Sequence, residues 1–121
     1  MPRESFLVNR IRSVGYAFKG LYLLLRTEAS IKIQGFIALF MAALGLYLEI
    51  SATEWMVQLL AVGMVMGVEG VNTAIERLAD YIQPAKDAKI GLIKDISAGA
   101  VMIVSIVACI VGLIIYVPKF I

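Results

Sequence analysis

Leu7, Ile11, Val14, Phe18, Leu21 and Leu25 recur at spacings of three and four. That period places them on one stripe of a helix over residues 5–27. Arg10, Arg12, Lys19 and Arg26 fall mainly off the stripe. A basic amphipathic helix next to a span suits the membrane surface; the alternative is a helix packed on a soluble partner. Residues 33–49 predict a first membrane span, since Phe36 to Leu48 holds neither charge nor proline. A span takes about 17–25 residues, so Ile31 to Gln34 must add to it, with the Lys32 ammonium reaching for the interface. Ser51 or Thr53 can cap the next helix. That helix is predicted over 54–82, and Pro84 ends it. A polar loop follows over 83–93. The third span is predicted over 95–117, with Pro118 as its stop.

The basic residues give this pattern a direction. Among the 11 lysines and arginines, Arg3, Arg10, Arg12, Lys19, Arg26 and Lys32 precede the first span, and Arg77, Lys86, Lys89 and Lys94 border the 83–93 loop. Only Lys119 lies at the opposite end. The positive-inside rule then puts the N-terminus in the cytoplasm and the C-terminus outside. The fold class expected is an all-α integral membrane protein of three spans behind an interfacial helix.

Composition agrees and excludes several functions. The chain has 121 residues, 61% of them apolar, where soluble domains run at about 45–50%. Three spans in one short domain leave little private core, so homo-oligomerisation is expected. A net charge of +2 does not argue for nucleic acid. With no histidine and the single Cys109 in an apolar run, neither a disulfide framework nor a Cys/His zinc site can form. Residues 1–30 carry no signal-peptide pattern.

Against this apolar background, Glu69, Asn72, Glu76 and Asp80 stand out, spaced to share one helix face. A helix leaving the membrane acquires a solvated face, which explains Asp80 and partly Glu76. It does not explain Glu69, which follows an unbroken apolar stretch. An ionisable group deep in a bilayer costs about 2.5–3.5 kcal/mol on insertion scales and is a functional candidate. Glu69 lies about 22 Å along the helix from Glu54, and Glu76 about 33 Å, at 1.5 Å per residue. With a hydrocarbon core about 30 Å thick, Glu69 falls just inside the boundary and Glu76 at it. Glu28 before the first span, and Lys94 and Asp95 before the third, reach the same level.

Such a set suits phosphoryl transfer at an interface. Carboxylate oxygens are natural Mg²⁺ ligands. A lysine can balance phosphate charge. A carboxylate just below the surface can take the proton of a lipid hydroxyl held at headgroup depth. No GxxxxGK[ST] loop and no HRD or DFG element is present, which excludes a soluble-type nucleotide fold. Gly63 and Gly67, with Gly70 nearby, form a small-xxx-small pair that permits close helix contact.

The run Val68-Glu69-Gly70-Val71-Asn72-Thr73-Ala74-Ile75-Glu76-Arg77-Leu78-Ala79-Asp80 closely resembles the signature of the prokaryotic diacylglycerol kinase family, which includes the undecaprenol kinases. Lys94-Asp95-Ile96-Ser97-Ala98-Gly99-Ala100-Val101 resembles its second signature. Gly15 to Gly20 and Glu28-Ala29 resemble its N-terminal part. The resemblance implies a homotrimer with active sites shared between subunits, in a prokaryotic inner membrane. It implies Glu69 as general base, and Glu28 and Glu76 as Mg²⁺ ligands. Asn72, Lys94 and Asp95 would hold the ATP phosphates or organise the site, with Tyr16 near the nucleotide. Either Arg10 or Arg12 fits the family's arginine before Gly15-Tyr16. The loop departs from the family's form: Pro84-Ala85-Lys86-Asp87 stands without the usual acidic-aromatic-His element, so nucleotide contacts there stay open. The implied substrate is undecaprenol or diacylglycerol, and Ala98-Gly99-Ala100 leans slightly to the former. From the residues alone, a small oligomeric proton-coupled transporter using Glu69 is the competing function.

Overall fold

The computed structural model describes residues 5–121; Arg3 lies outside the described residues. Four helices follow one another: α1 (Phe6–Thr27), α2 (Ala29–Tyr47), α3 (Ala52–Ile82) and α4 (Ala88–Phe120). The last three are long and apolar enough to cross a membrane, with mean hydropathies of 1.7, 1.3 and 2.9. The chain is a multi-pass membrane protein.

Helix α1 starts at Ser5, whose hydroxyl accepts from the Val8 N–H at 3.2 Å. None of its residues is buried, and Leu7, Ile11, Val14, Phe18 and Leu21 are open within the chain. A single non-helical residue, Glu28 (φ −99°, ψ 113°), separates it from α2. The Glu28 N–H still bonds to the Leu24 carbonyl, so the chain changes direction at one residue without orphaning that donor.

Helix α2 begins at Ala29, ahead of the predicted span start at residue 33, and Lys32 lies within it. It stops in a Schellman arrangement. Ile50 N–H bonds to the Gly45 carbonyl at 3.1 Å and Glu49 N–H to that of Leu46 at 3.3 Å. Glu49 occupies the left-handed region at φ 52°, where glycine is favoured. Gly45 is needed there for a different reason: a Cβ on it would lie 3.0 Å from both Ile50 Cδ1 and the Trp55 ring.

Ser51, not Thr53, caps α3. Its hydroxyl accepts from Glu54 N–H at 3.1 Å, and Glu54 Oε1 accepts from Ser51 N–H at 2.9 Å, a reciprocal capping box. Helix α3 ends at Ile82, ahead of Pro84. The polar loop is shorter than 83–93, and α4 begins at Ala88 rather than Asp95. The cause is Asp87, whose carboxylate accepts from Lys89 N–H at 2.9 Å and Ile90 N–H at 3.1 Å. Pro118 does not end α4 but sits in its last turn.

Helices of 31 and 33 residues are about 46 and 50 Å long, more than the roughly 30 Å of hydrocarbon requires. The half of α3 nearer the loop carries Glu69, Asn72, Glu76 and Asp80. The apolar core lies at the opposite end, beside the α2–α3 turn. Ile50, Ile115 and Tyr116 are buried there against Met41, Leu44, Leu48, Trp55 and Val111.

That end also holds polar groups the sequence pattern passed over. Tyr116 Oη donates to Gln58 Oε1 at 2.5 Å and is 3.1 Å from the Met41 carbonyl. Gln58 Nε2 donates to the same carbonyl at 3.4 Å. Three helices meet in this buried triad. Lys119 Nζ adds a bond to Glu54 Oε1 at 3.2 Å.

Candidate active site

At the loop end, α3 presents Glu69, Asn72 and Thr73 toward the bundle. Glu69 is only 8% exposed, and Asn72 and Thr73 are equally buried. The helix period delivers Glu76 one turn beyond Asn72, and the Asn72 amide Nδ2 donates to Glu76 Oε1 at 3.2 Å. The other Asn72 amide atom, Oδ1, is buried without a hydrogen-bond partner. Glu69 has Glu76 and Glu28 as its charged neighbours, and Asn72 and Ser30 as polar ones. Three acidic side chains from two segments thus face a common region. Beside them α3 lies close to α1, since a Cβ on Gly70 would lie 3.1 Å from Leu24 Cδ1.

Glu28 reaches the group from the break between α1 and α2. Its Oε1 accepts from Arg77 Nη2 at 2.6 Å, and the same nitrogen donates to Thr27 Oγ1 at 2.8 Å. Arg77, next to Glu76 on α3, is a participant that the sequence reading used only as a topology marker. Lys94 on α4 is paired with Asp80 on α3, so a residue first ascribed to a solvated face contacts a site candidate.

The remaining candidates lie apart. Asp95 is exposed and borders an open hollow with Lys86, Asp87 and Gly91. Tyr16 is largely exposed on α1, and Arg10 stacks over the Phe6 ring at 5.7 Å. Arg12 is exposed on the same helix. Within one chain, then, Glu28, Glu69, Asn72 and Glu76 come together, Lys94 pairs with Asp80, Asp95 lies apart on α4, and α1 carries Tyr16, Arg10 and Arg12 separately.

A different groove, of about 610 Å³, runs between α2, α3 and α4 at span depth. Its lining is apolar apart from residues such as Gln34, Gln58 and Ser105, and none of the carboxylates borders it.

The sequence model of prokaryotic diacylglycerol kinase matches residues 15–116. The chain belongs to this family. Undecaprenol kinase of Bacillus subtilis (strain 168) is 34% identical over 113 residues, covering 93% of this chain and 92% of that protein. Diacylglycerol kinase of Escherichia coli (strain K12) is 33% identical over 100 residues, covering 83% and 82%. Diacylglycerol kinase of Haemophilus influenzae is 27% identical over 114 residues, covering 94% of each. This kinase-family chain therefore matches its relatives along nearly their whole length.

Proposed function

We propose that this kinase transfers the γ-phosphoryl group of ATP to the hydroxyl of a membrane lipid alcohol at the cytoplasmic face of the inner membrane. The observation that carries the reading is Glu69: a buried carboxylate with Glu28 and Glu76 as its charged neighbours, in a chain of this family. Glu69 accepts the proton of the lipid hydroxyl as that oxygen attacks the γ-phosphorus. The new P–O bond forms while the bond to the β,γ-bridging oxygen breaks, and ADP leaves with that electron pair. Lys94 meets phosphate charge, with Asp80 holding its ammonium in place. Asp95, Tyr16 and either Arg10 or Arg12 contribute to the nucleotide site.

Glu28 and Glu76 are the residues that would hold Mg²⁺. Among the described residues, no group of three or more acidic, histidine or cysteine side chains is arranged to hold a metal by itself. Mg²⁺ does not ask for one, since it is usually bound by one or two carboxylates plus substrate phosphates and water. The buried, unpartnered Asn72 Oδ1 adds an oxygen acceptor beside them. Bound with ATP, the ion supplies charge neutralisation across the phosphate oxygens.

A homotrimer with shared sites fits two further features. Gly63 and Gly67 face open space within the chain, as glycines at a helix–helix contact between subunits would. The separation of α1 candidates from the carboxylates fits a site completed by a neighbouring subunit. The basic residues around α1 and the 83–87 loop support a cytoplasmic N-terminus and an external C-terminus.

Undecaprenol is the preferred substrate on this reading, supported by Ala98-Gly99-Ala100 and by the similarity to the Bacillus subtilis enzyme. Purified protein in mixed micelles, given labelled ATP, Mg²⁺ and either undecaprenol or diacylglycerol, provides the test. Greater labelling of undecaprenol is expected. Greater labelling of diacylglycerol reverses the preference, and labelling of neither overturns the kinase reading.

A further inference from the structure

Arg77 has no place in the reaction scheme above, yet it touches one of its central groups. Its Nη2 lies 2.6 Å from Glu28 Oε1 and 2.8 Å from Thr27 Oγ1. The pair joins the break after α1 to the middle of the acidic stretch on α3. Glu28 is the more enclosed partner, with 26% of its side chain exposed against 55% for Arg77. The carboxylate sits at a helix junction, while more than half of the arginine side chain is exposed.

Charge explains why such a pair forms here. Glu28 and Glu76 are the charged neighbours of the buried Glu69, in surroundings where like charges repel more strongly than in water. A guanidinium on Glu28 offsets one of those charges. A divalent cation would do the same, and a carboxylate oxygen accepting from Arg77 at 2.6 Å has no room for a cation along that direction. The two positive charges also repel. Arg77 and the cation therefore compete for Glu28.

We propose that Arg77 is the built-in counter-ion of the metal-binding carboxylates: it holds Glu28 until a divalent cation displaces it. The proposal rests on the assignment of Glu28 to the metal under the proposed function. Arg77 is a positioning residue in this scheme, acting through Glu28. Thr27 shares the same nitrogen and biases the guanidinium toward the pair. Displacement frees Arg77 next to Glu76, on the side from which ATP phosphates would arrive.

The test uses the full-length protein in nanodiscs without nucleotide, with Mn²⁺ as the probe and free Mn²⁺ read by electron paramagnetic resonance. Arg77→Gln should tighten Mn²⁺ binding by about two- to fivefold, the range set by partly exposed ion pairs. Thr27→Val should tighten it by less. The Arg77→Gln effect should vanish in a Glu28→Gln background, because the competing pair is already gone. Circular dichroism checks that each variant keeps its helices, and Thr27→Val serves where Arg77→Gln fails to fold. Unchanged or weaker binding in Arg77→Gln, or a shift that persists without Glu28, overturns the proposal. Wild-type affinity in Glu28→Gln itself overturns the metal assignment instead, which separates the two failures.

Discussion

The two ends of the helical bundle solve opposite problems. At the α2–α3 turn, the buried and capping polar groups are committed to other parts of the chain. Ser51 and Glu54 cap each other, the Schellman bonds close α2, and Tyr116, Gln58 and the Met41 carbonyl bind three helices together. At the loop end, like charges are gathered and polar atoms are left unpartnered, Asn72 Oδ1 among them. Stability wants the first arrangement, and a substrate wants the second. The lesson is that burial of a polar side chain does not by itself mark a site. Gln58 is as buried as Glu69, but its amide is satisfied within the protein.

The sharpest way to break the comparison is at Glu69. Glu69→Gln keeps the size and removes the base, so turnover should fall by about 10²- to 10⁴-fold with helix content intact. A variant with normal turnover in the labelled-ATP assay removes Glu69 from the base role. Lys94→Gln comes next. It should raise KM for ATP by about tenfold, the value of one charge-assisted hydrogen bond of roughly 1.5 kcal/mol, with thermal stability little changed. An unaltered KM separates Lys94 from the nucleotide.

At the other end the expected effects fall on stability alone. Tyr116→Phe removes the donor to Gln58 Oε1. Interhelical hydrogen bonds in membranes are worth about 0.6 kcal/mol on average and about 1.7 at most, so a loss in that range is expected on denaturation in detergent, with KM for ATP unchanged. A changed KM would mean that the two ends communicate. The smallest effect is a gain: Glu49→Gly relieves a left-handed residue and should stabilise by about 0.5–1 kcal/mol. A loss at that position would show that the Glu49 side chain matters in its own right.

The regular parts of this architecture were legible because they obey local rules. Apolar runs located the spans, and the spacing of Glu69, Asn72 and Glu76 placed them on one face before any coordinates. Local capping was legible only in part. Asp87 followed by the Ala88–Lys94 run is an N-cap signal, yet the charges of the run made it look like loop. Gln58 was visible as the lone amide in an apolar stretch, but its partner Tyr116 lies 58 positions away, a separation that no periodicity encodes. Arg77 was hidden for the same reason, since its partner sits across the bundle 49 positions away. Asp80 was read as a solvated end because an exposed carboxylate can still be reached by a long lysine side chain such as Lys94. The site's core followed from helix geometry, whereas its counter-charges followed from tertiary packing.

The single-residue break at Glu28 has a mechanical consequence. A rigid α1 joined to α2 through one residue behaves as a lever whose fulcrum is that residue. Tyr16 lies twelve positions up the arm, about 18 Å at the helical rise. A tilt of roughly 10° would sweep it by about 3 Å across the arm's axis while leaving the fulcrum almost still. Glu28, at the fulcrum beside the Arg77–Thr27 bond, would move far less in such a tilt than the aromatic and basic groups farther along α1.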